Sequence, residues 1–237
     1  MNQEVIDRIT SWEYIKEHIY FKFMRVGDPS FRKDGIFLKP CCGINDFGAW
    51  SAYILLESDE KRTVSCPINA KFRYKINAEL RDKIEHVFNG HSVNSTFSYM
   101  HLLDICEKNT KKLFPAMYYD STAVEKCLKL TEVDLTNKEY WETHEKPLYL
   151  TVTNKQRLNG AGCIFWEEVQ KVVSDFYDSN LLVSFPSIHE AIVHPVNNGI
   201  GVQEIESIMA SMEEVVAEED WLTNKVLYFD RKKGCFV

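Results

Sequence analysis

Toward the C-terminus, the apolar residues switch repeatedly between an alternating spacing and a spacing of about 3.6 residues. The pattern predicts strands over residues 148–152, 181–185, 188–194 and 225–230, with helices over 162–177 and 202–216. The second helix carries one apolar stripe, Val202, Ile205, Met209, Met212 and Val216. The order β-α-β-β-α-β is that of the ferredoxin-like split unit, with two helices on one face of a mainly antiparallel sheet. The expected fold class is therefore α+β, with antiparallel sheet layers and packed helices.

The first half reads as strands followed by helices. Val5, Ile9, Trp12 and Ile15 give a helical stripe over 5–18, and residues 19–26 then alternate as a strand. Residues 49–56 and 62–68 predict a hairpin around the turn 58–61. GDPS at 27–30 and KDG at 33–35 are turn signals. Asn77 can cap a helix with the stripe Leu80, Ile84, Val87 and Phe88, stopped by Asn89-Gly90. In a further helix Tyr99, Leu102, Leu103, Cys106 and Leu113 share a face, Lys108, Lys111 and Lys112 suit its C-terminal dipole, and Pro115 ends it. Residues 123–130 form a short helix in this reading. The expected organisation is an N-terminal α+β half (1–130), a polar connection (131–146) and a C-terminal α+β half (147–237), or one compact domain built from them.

Composition narrows the function classes. With 45% hydrophobic residues, 14 Phe, 11 Tyr and 5 Trp, the chain can bury a real core. A net charge of −7 argues against direct nucleic-acid binding, which needs an excess of phosphate-neutralising cations. Seven cysteines at irregular spacing, with no CxxC pair, suit reduced thiols and not a disulfide framework or a Cys-rich zinc site. Cys41-Cys42 enters a turn at Gly43. The apolar runs are too short to span a bilayer and MNQEVID has no leader-like pattern, so a cytoplasmic protein without membrane contact is expected.

Thr153-Asn154, Gly160-Ala161, PSIHE (186–190), and Glu218-Glu219 followed by Leu222 and Tyr228 form a recurring set. KNTKKLFPA, residues 108–116, adds a helix end, and residues 15–25 an earlier strand. In these segments the chain resembles the bacterial domain of unknown function 5688 family. The resemblance is most specific over 108–230. It implies a fold and recurring residues but no activity, because the family has none established. Family members usually carry an additional N-terminal segment, and this chain is expected to start after it.

Three constellations invite chemistry. HEAIVH, residues 189–194, places its histidines five apart, whereas a zincin needs HExxH on a helical face, so no metal site is expected. Ser187, His189 and Glu190 hold the ingredients of a hydrolytic triad. In an extended segment Ser187 and His189 share a face while Glu190 points away, which is the wrong geometry for one. The loop from Asn154 to Gly162, with Lys155, Arg157, Gly160 and Gly162, could present backbone N–H groups to an anion at a helix start, although it matches no nucleotide-binding motif. No catalytic residue and no cofactor is expected.

The helix over 202–216 and the turn after it carry Glu204, Glu206, Glu213, Glu214, Glu218, Glu219 and Asp220, and no Lys or Arg occurs between Gly199 and Asn224. Acids at a helix C-terminus oppose its dipole. Glu213, Glu214, Glu218, Glu219 and Asp220 are the candidate docking residues for a basic protein partner. The expected function is a non-enzymatic interaction or regulatory protein, such as a mobile-element or phage accessory factor acting on a host defence component. The alternative is a small-molecule or phosphate-binding domain, or a hydrolase, using Asn154, Lys155, Gly160, Gly162, Ser187, His189 and Glu190.

Overall fold

Among the described residues the strands form two sheets, one of three strands and one of seven. The computed structural model describes residues 4, 7–8, 11–25, 48–57, 63–67, 99–121 and 130–237. The expected helix over 77–88, that over 123–130 except Leu130, the turns at 27–30, 33–35 and 58–61, and Cys41-Cys42 lie outside the described residues. The chain divides into two units, one made of residues 1–22, 27–39 and 50–113, the other of 23–26, 40–49 and 114–237.

The first unit contains α1 (Trp12–His18), most of β1 (Ile19–Arg25) and β2 (Gly48–Glu57), β3 (Thr63–Pro67) and α2 (Tyr99–Leu113). The three strands form a sheet in the order β1-β2-β3. The expected hairpin is present: β2 and β3 are antiparallel, with Ile54 opposite Cys66 and Leu56 opposite Val64. The Asn-Thr pair of KNTKKLFPA ties α2 to β1. Asn109 Nδ2 donates to the carbonyls of Lys16 (2.9 Å) and Ile19 (2.7 Å). Thr110 Oγ1 accepts from the Phe21 N–H at 2.7 Å and donates to the Cys106 carbonyl at 2.6 Å. These side chains satisfy backbone groups that a strand start and a helix end would otherwise leave without partners.

The second unit is a seven-stranded sheet in the order β10-β9-β7-β8-β6-β4-β5. Its strands are β4 (Ala116–Asp120), β5 (Thr131–Glu132), β6 (Leu150–Asn154), β7 (Leu181–Ser187), β8 (Glu190–Pro195), β9 (Leu227–Asp230) and β10 (Cys235–Phe236). Every pairing is antiparallel. Among the described residues it is accompanied by α3 (Lys138–Thr143), α4 (Glu167–Tyr177) and α5 (Val202–Met212), together with 3-10 turns over Ala161–Phe165 and Val196–Asn198. The α+β class expected from the pattern is the one observed. No helix among the described residues is long and apolar enough to cross a membrane.

One sheet face is the core. Leu150, Val152, Leu181, Val183, Phe185, Ala191 and Val193 are fully buried, and burying each larger aliphatic side chain stabilises by about 1.5–3 kcal/mol. Phe165, from the 3-10 turn, stacks on Phe185 at 5.5 Å and meets Phe23 and Phe236 at 5.6 and 5.4 Å. Helix α4 continues this layer through Val169, Val173, Phe176 and Tyr177. It ends at Asp178, which adopts a left-handed conformation (φ 52°), and the Ser179 N–H closes back on the Ser174 carbonyl.

The element order β-α-β-β-α-β is present, but the expected placement of both helices on one face is not. In the ferredoxin-like unit the last strand joins the free edge of the first. Here β4 already pairs along that edge of β6, and β9 joins β7 instead. Both crossovers, β6-α4-β7 and β8-α5-β9, therefore step in the same direction along the sheet from antiparallel strands. Two crossovers of the same hand must then fall on opposite faces. The side chains agree: α4 follows the face of Val183 and Phe185, whereas Ile205 and Met209 of α5 pack with Leu182 and Trp221 on the other.

Candidate functional site

Where β6 ends and β7 turns into β8, the loop residues and the PSIHE segment meet. The expected extended conformation through Ile188 and His189 is replaced by a tight turn, with Ser187 paired to Glu190 across it. Ser187 and His189 therefore do not share a strand face. Ser187 Oγ accepts from the His189 backbone N–H at 3.1 Å, so it faces a peptide group and not the imidazole.

The imidazole of His189 spans two distant segments. Its Nδ1 accepts from the Asn159 N–H at 3.1 Å, which places the ring proton on Nε2, and Nε2 lies 3.2 Å from Asp220 Oδ1. The Ile188 N–H donates to the Asp220 carbonyl at 2.8 Å. The His189 carbonyl accepts from Thr153 Oγ1 (2.6 Å) and the Gly160 N–H (3.1 Å). With both ring nitrogens engaged, His189 has no free lone pair to act as a base toward Ser187.

The loop after β6 is equally closed. The N–H of Lys155 donates to the Pro115 carbonyl, that of Arg157 to Asn154, and those of Gln156 and Leu158 to Asn154 Oδ1. Asn159 and Gly160 donate to His189, and Ala161 donates to Ile188. Every backbone donor from Lys155 to Ala161 thus has an acceptor within the protein, leaving none for an anion cradle. Gly160 is where the layers touch: a Cβ there would lie 2.5 Å from the Asn154 nitrogen and 2.9 Å from the His189 carbonyl oxygen. Gly162 is buried in the 3-10 turn, and the Lys155 side chain points to solvent. Arg157 (φ 55°) lays its guanidinium over the Tyr119 ring at 4.3 Å.

Glu190 leaves this corner. It stands on the face of β8 shared with Ile192 and His194, and burial raises its carboxyl pKa above the ordinary value. That face, with α5 as a wall, lines a half-open cavity of about 870 Å³. Its floor is polar, from Ser121, Thr151, Ser184, Glu190 and His194, and its wall is apolar, from Ile205, Ile208, Met209 and Met212. Ser121 Oγ and Thr151 Oγ1 hydrogen-bond each other. His194 is only 6% exposed, and its Nδ1 has no hydrogen-bond partner. Burial lowers its pKa to about 4, and an unsatisfied buried polar atom costs about 1–3 kcal/mol. HEAIVH contributes Glu190 and His194 to this face, and the remaining signal is alternation. Thr151, Ser184, Glu190 and His194 each interrupt an apolar strand at the period of two.

The candidate docking acids fall on α5 and the turn beyond it. Glu204, Glu206, Glu213, Glu214, Glu218 and Glu219 are exposed. Asp220 is the exception, being held by His189. Arg25 approaches the turn through the Glu218 backbone carbonyl at 2.7 Å. Val202, Ile208 and Val215 are 41%, 48% and 80% exposed, and Ile208, two residues from Glu206 on the helix, points to the cavity side.

Among the described residues, no group of three or more His, Cys, Asp or Glu side chains is arranged to hold a metal ion. Burial raises the Cys163 thiol to about 12 and pushes Cys106 higher still, so neither is a thiolate at neutral pH. A family model described as a family of unknown function, DUF5688, matches residues 68–231. No curated protein and no solved structure matches the chain.

Proposed function

We propose that this chain, which belongs to the DUF5688 family of unknown function, is a non-enzymatic interaction module that docks a basic protein partner on α5 and the turn after it. The observation that carries this reading is the exposed acidic face itself. Glu206, Glu213 and Glu214 stand in solvent, and Val215, next to Glu214 in the chain, is 80% exposed. No Lys or Arg between Gly199 and Asn224 offsets that charge. Carboxylates beside an exposed apolar side chain suit a partner that brings cations around an apolar contact, since charge steers the encounter and the apolar contact holds it. In its finer form the module works in the cytoplasm as a mobile-element or phage accessory factor, and the partner is a host defence component.

The alternative, ligand binding or hydrolysis at Asn154, Lys155, Gly160, Gly162, Ser187, His189 and Glu190, has less support. The loop donors and both His189 ring nitrogens are engaged within the protein. The test is charge reversal with Glu206→Lys, Glu213→Lys and Glu214→Lys together. Because all three side chains are exposed, unfolding stability should stay within about 1 kcal/mol of the parent. Capture of a stoichiometric basic protein from a bacterial host lysate should be lost. Retained capture by the reversed variant would overturn the reading.

A further inference from the structure

The cavity between the sheet and α5 differs from the docking face in chemistry. Three strands floor it with Thr151, Ser184 and His194, and one helix walls it with Ile205, Met209 and Met212. Pockets for small organic molecules have this make-up, mostly apolar with a few convergent polar groups, and about 870 Å³ lies within the usual range of roughly 300–1,000 Å³. The sheet could have closed this face with aliphatic side chains, as it does on the opposite face with Val183, Ala191 and Val193. It instead keeps His194 buried with Nδ1 unpartnered.

We propose that this cavity binds a small amphipathic organic molecule with an apolar tail and a hydroxyl or amine head, the tail lying along α5 and the head bonding to His194. The charge of the lining selects the class. Glu190 and Glu204 contribute carboxylates, and no Lys or Arg occurs among the described lining residues. A carboxylate or phosphate head would meet the Glu204 carboxylate, and no Lys or Arg among the described lining residues faces it there. A hydroxyl can donate to or accept from the imidazole, with Ser184 and Thr151 beside it, and an amine can also face Glu190. Ile192 and Met209 supply the apolar sides between which the tail lies. Burial keeps the His194 imidazole in its neutral form, which leaves one ring nitrogen as an acceptor and the other as a donor.

The inference does not depend on the docking proposal, and its test uses none of the charge-reversal variants. The full-length protein, labelled at its Met and Ile methyl groups, is titrated separately with 1-octanol, octylamine and octanoate and followed by NMR. Octanol and octylamine should shift the Met209 and Met212 methyl resonances saturably. Octanoate should bind at least about tenfold more weakly. His194→Phe keeps the ring packed on Tyr149 (5.1 Å between centroids) but removes the polar head contact. It should weaken octanol binding about threefold to tenfold, the worth of one hydrogen bond. Ile208→Trp, on the exposed rim, should block the cavity while the remaining methyl spectrum stays native. Three results would each overturn the proposal: no saturable shift with octanol or octylamine, octanoate binding as tightly as either, or unchanged octanol affinity in the His194→Phe variant.

Discussion

At the scale of single residues, the polar side chains that look most like chemistry mostly complete the backbone. Thr153 and His189 each bond to a peptide group of a neighbouring segment, and Asn154 and Ser187 each accept from the N–H two residues on in their own turn. Gly160 makes this possible by letting three segments approach. Gly160→Ala should therefore cost about 2–3 kcal/mol in urea denaturation, an overpacking penalty against backbone that cannot easily move. A loss below about 0.5 kcal/mol would mean that the corner is looser than its geometry. His194 makes a different prediction. Its pKa is about 4 in the folded protein against an ordinary 6.5, so between those values the unfolded chain binds more protons than the folded one. Stability then rises with pH across that window and is lost as pH falls from about 6.5 toward 4, by roughly 2–3 kcal/mol in total. Glu190 on the same face works oppositely. Its raised pKa lets the folded state hold its proton to higher pH, a contribution lost as pH rises through the folded value. Comparing the parent with His194→Phe isolates the histidine: the variant should lack the slope between about pH 4 and 6.5. Superimposable pH profiles would contradict the buried, neutral assignment.

At the scale of elements, the 3-10 turn before α4 matters as much as the helix. The apolar period alone starts that helix at Gly162, but Trp166 adopts an extended conformation (φ −75°, ψ 130°) and separates the turn from α4. The break lets Phe165 enter the core among Phe23, Phe185 and Phe236. Phe165→Ala should cost about 3–5 kcal/mol, measured by chemical denaturation, whereas an ordinary helix-surface aromatic would lose far less. The strands β6 to β8 are legible in the sequence because Leu150, Val152, Val183 and Val193 fall on an alternating period. Strand β4 is not, because AMYYD directly after a helix stop has too few positions to establish one. That gap hides which edge of β6 is free, and with it the placement of α5. The pairing of His189 with Asp220 is illegible for another reason: it joins segments far apart in the chain, and no local pattern encodes it.

At the scale of the whole molecule, the recurring family residues and the candidate binding surfaces separate. The corner of Asn154, Gly160, Ser187 and His189 closes on itself, while the exposed carboxylates of α5 and the cavity beside that helix remain open. Composition alone makes part of this visible: in an acidic chain, an acid run free of Lys and Arg from residue 200 to 223 marks the exposed carboxylates on which the docking proposal rests. Composition does not reveal that Asp220 belongs to the corner and not to that face. The most direct test of the account is parallel affinity capture with the parent and the Glu206→Lys, Glu213→Lys, Glu214→Lys variant, each shown to be folded by matched thermal unfolding. The account predicts that a basic protein is recovered in stoichiometric amount with the parent and lost with the variant. Equal recovery with both would contradict it.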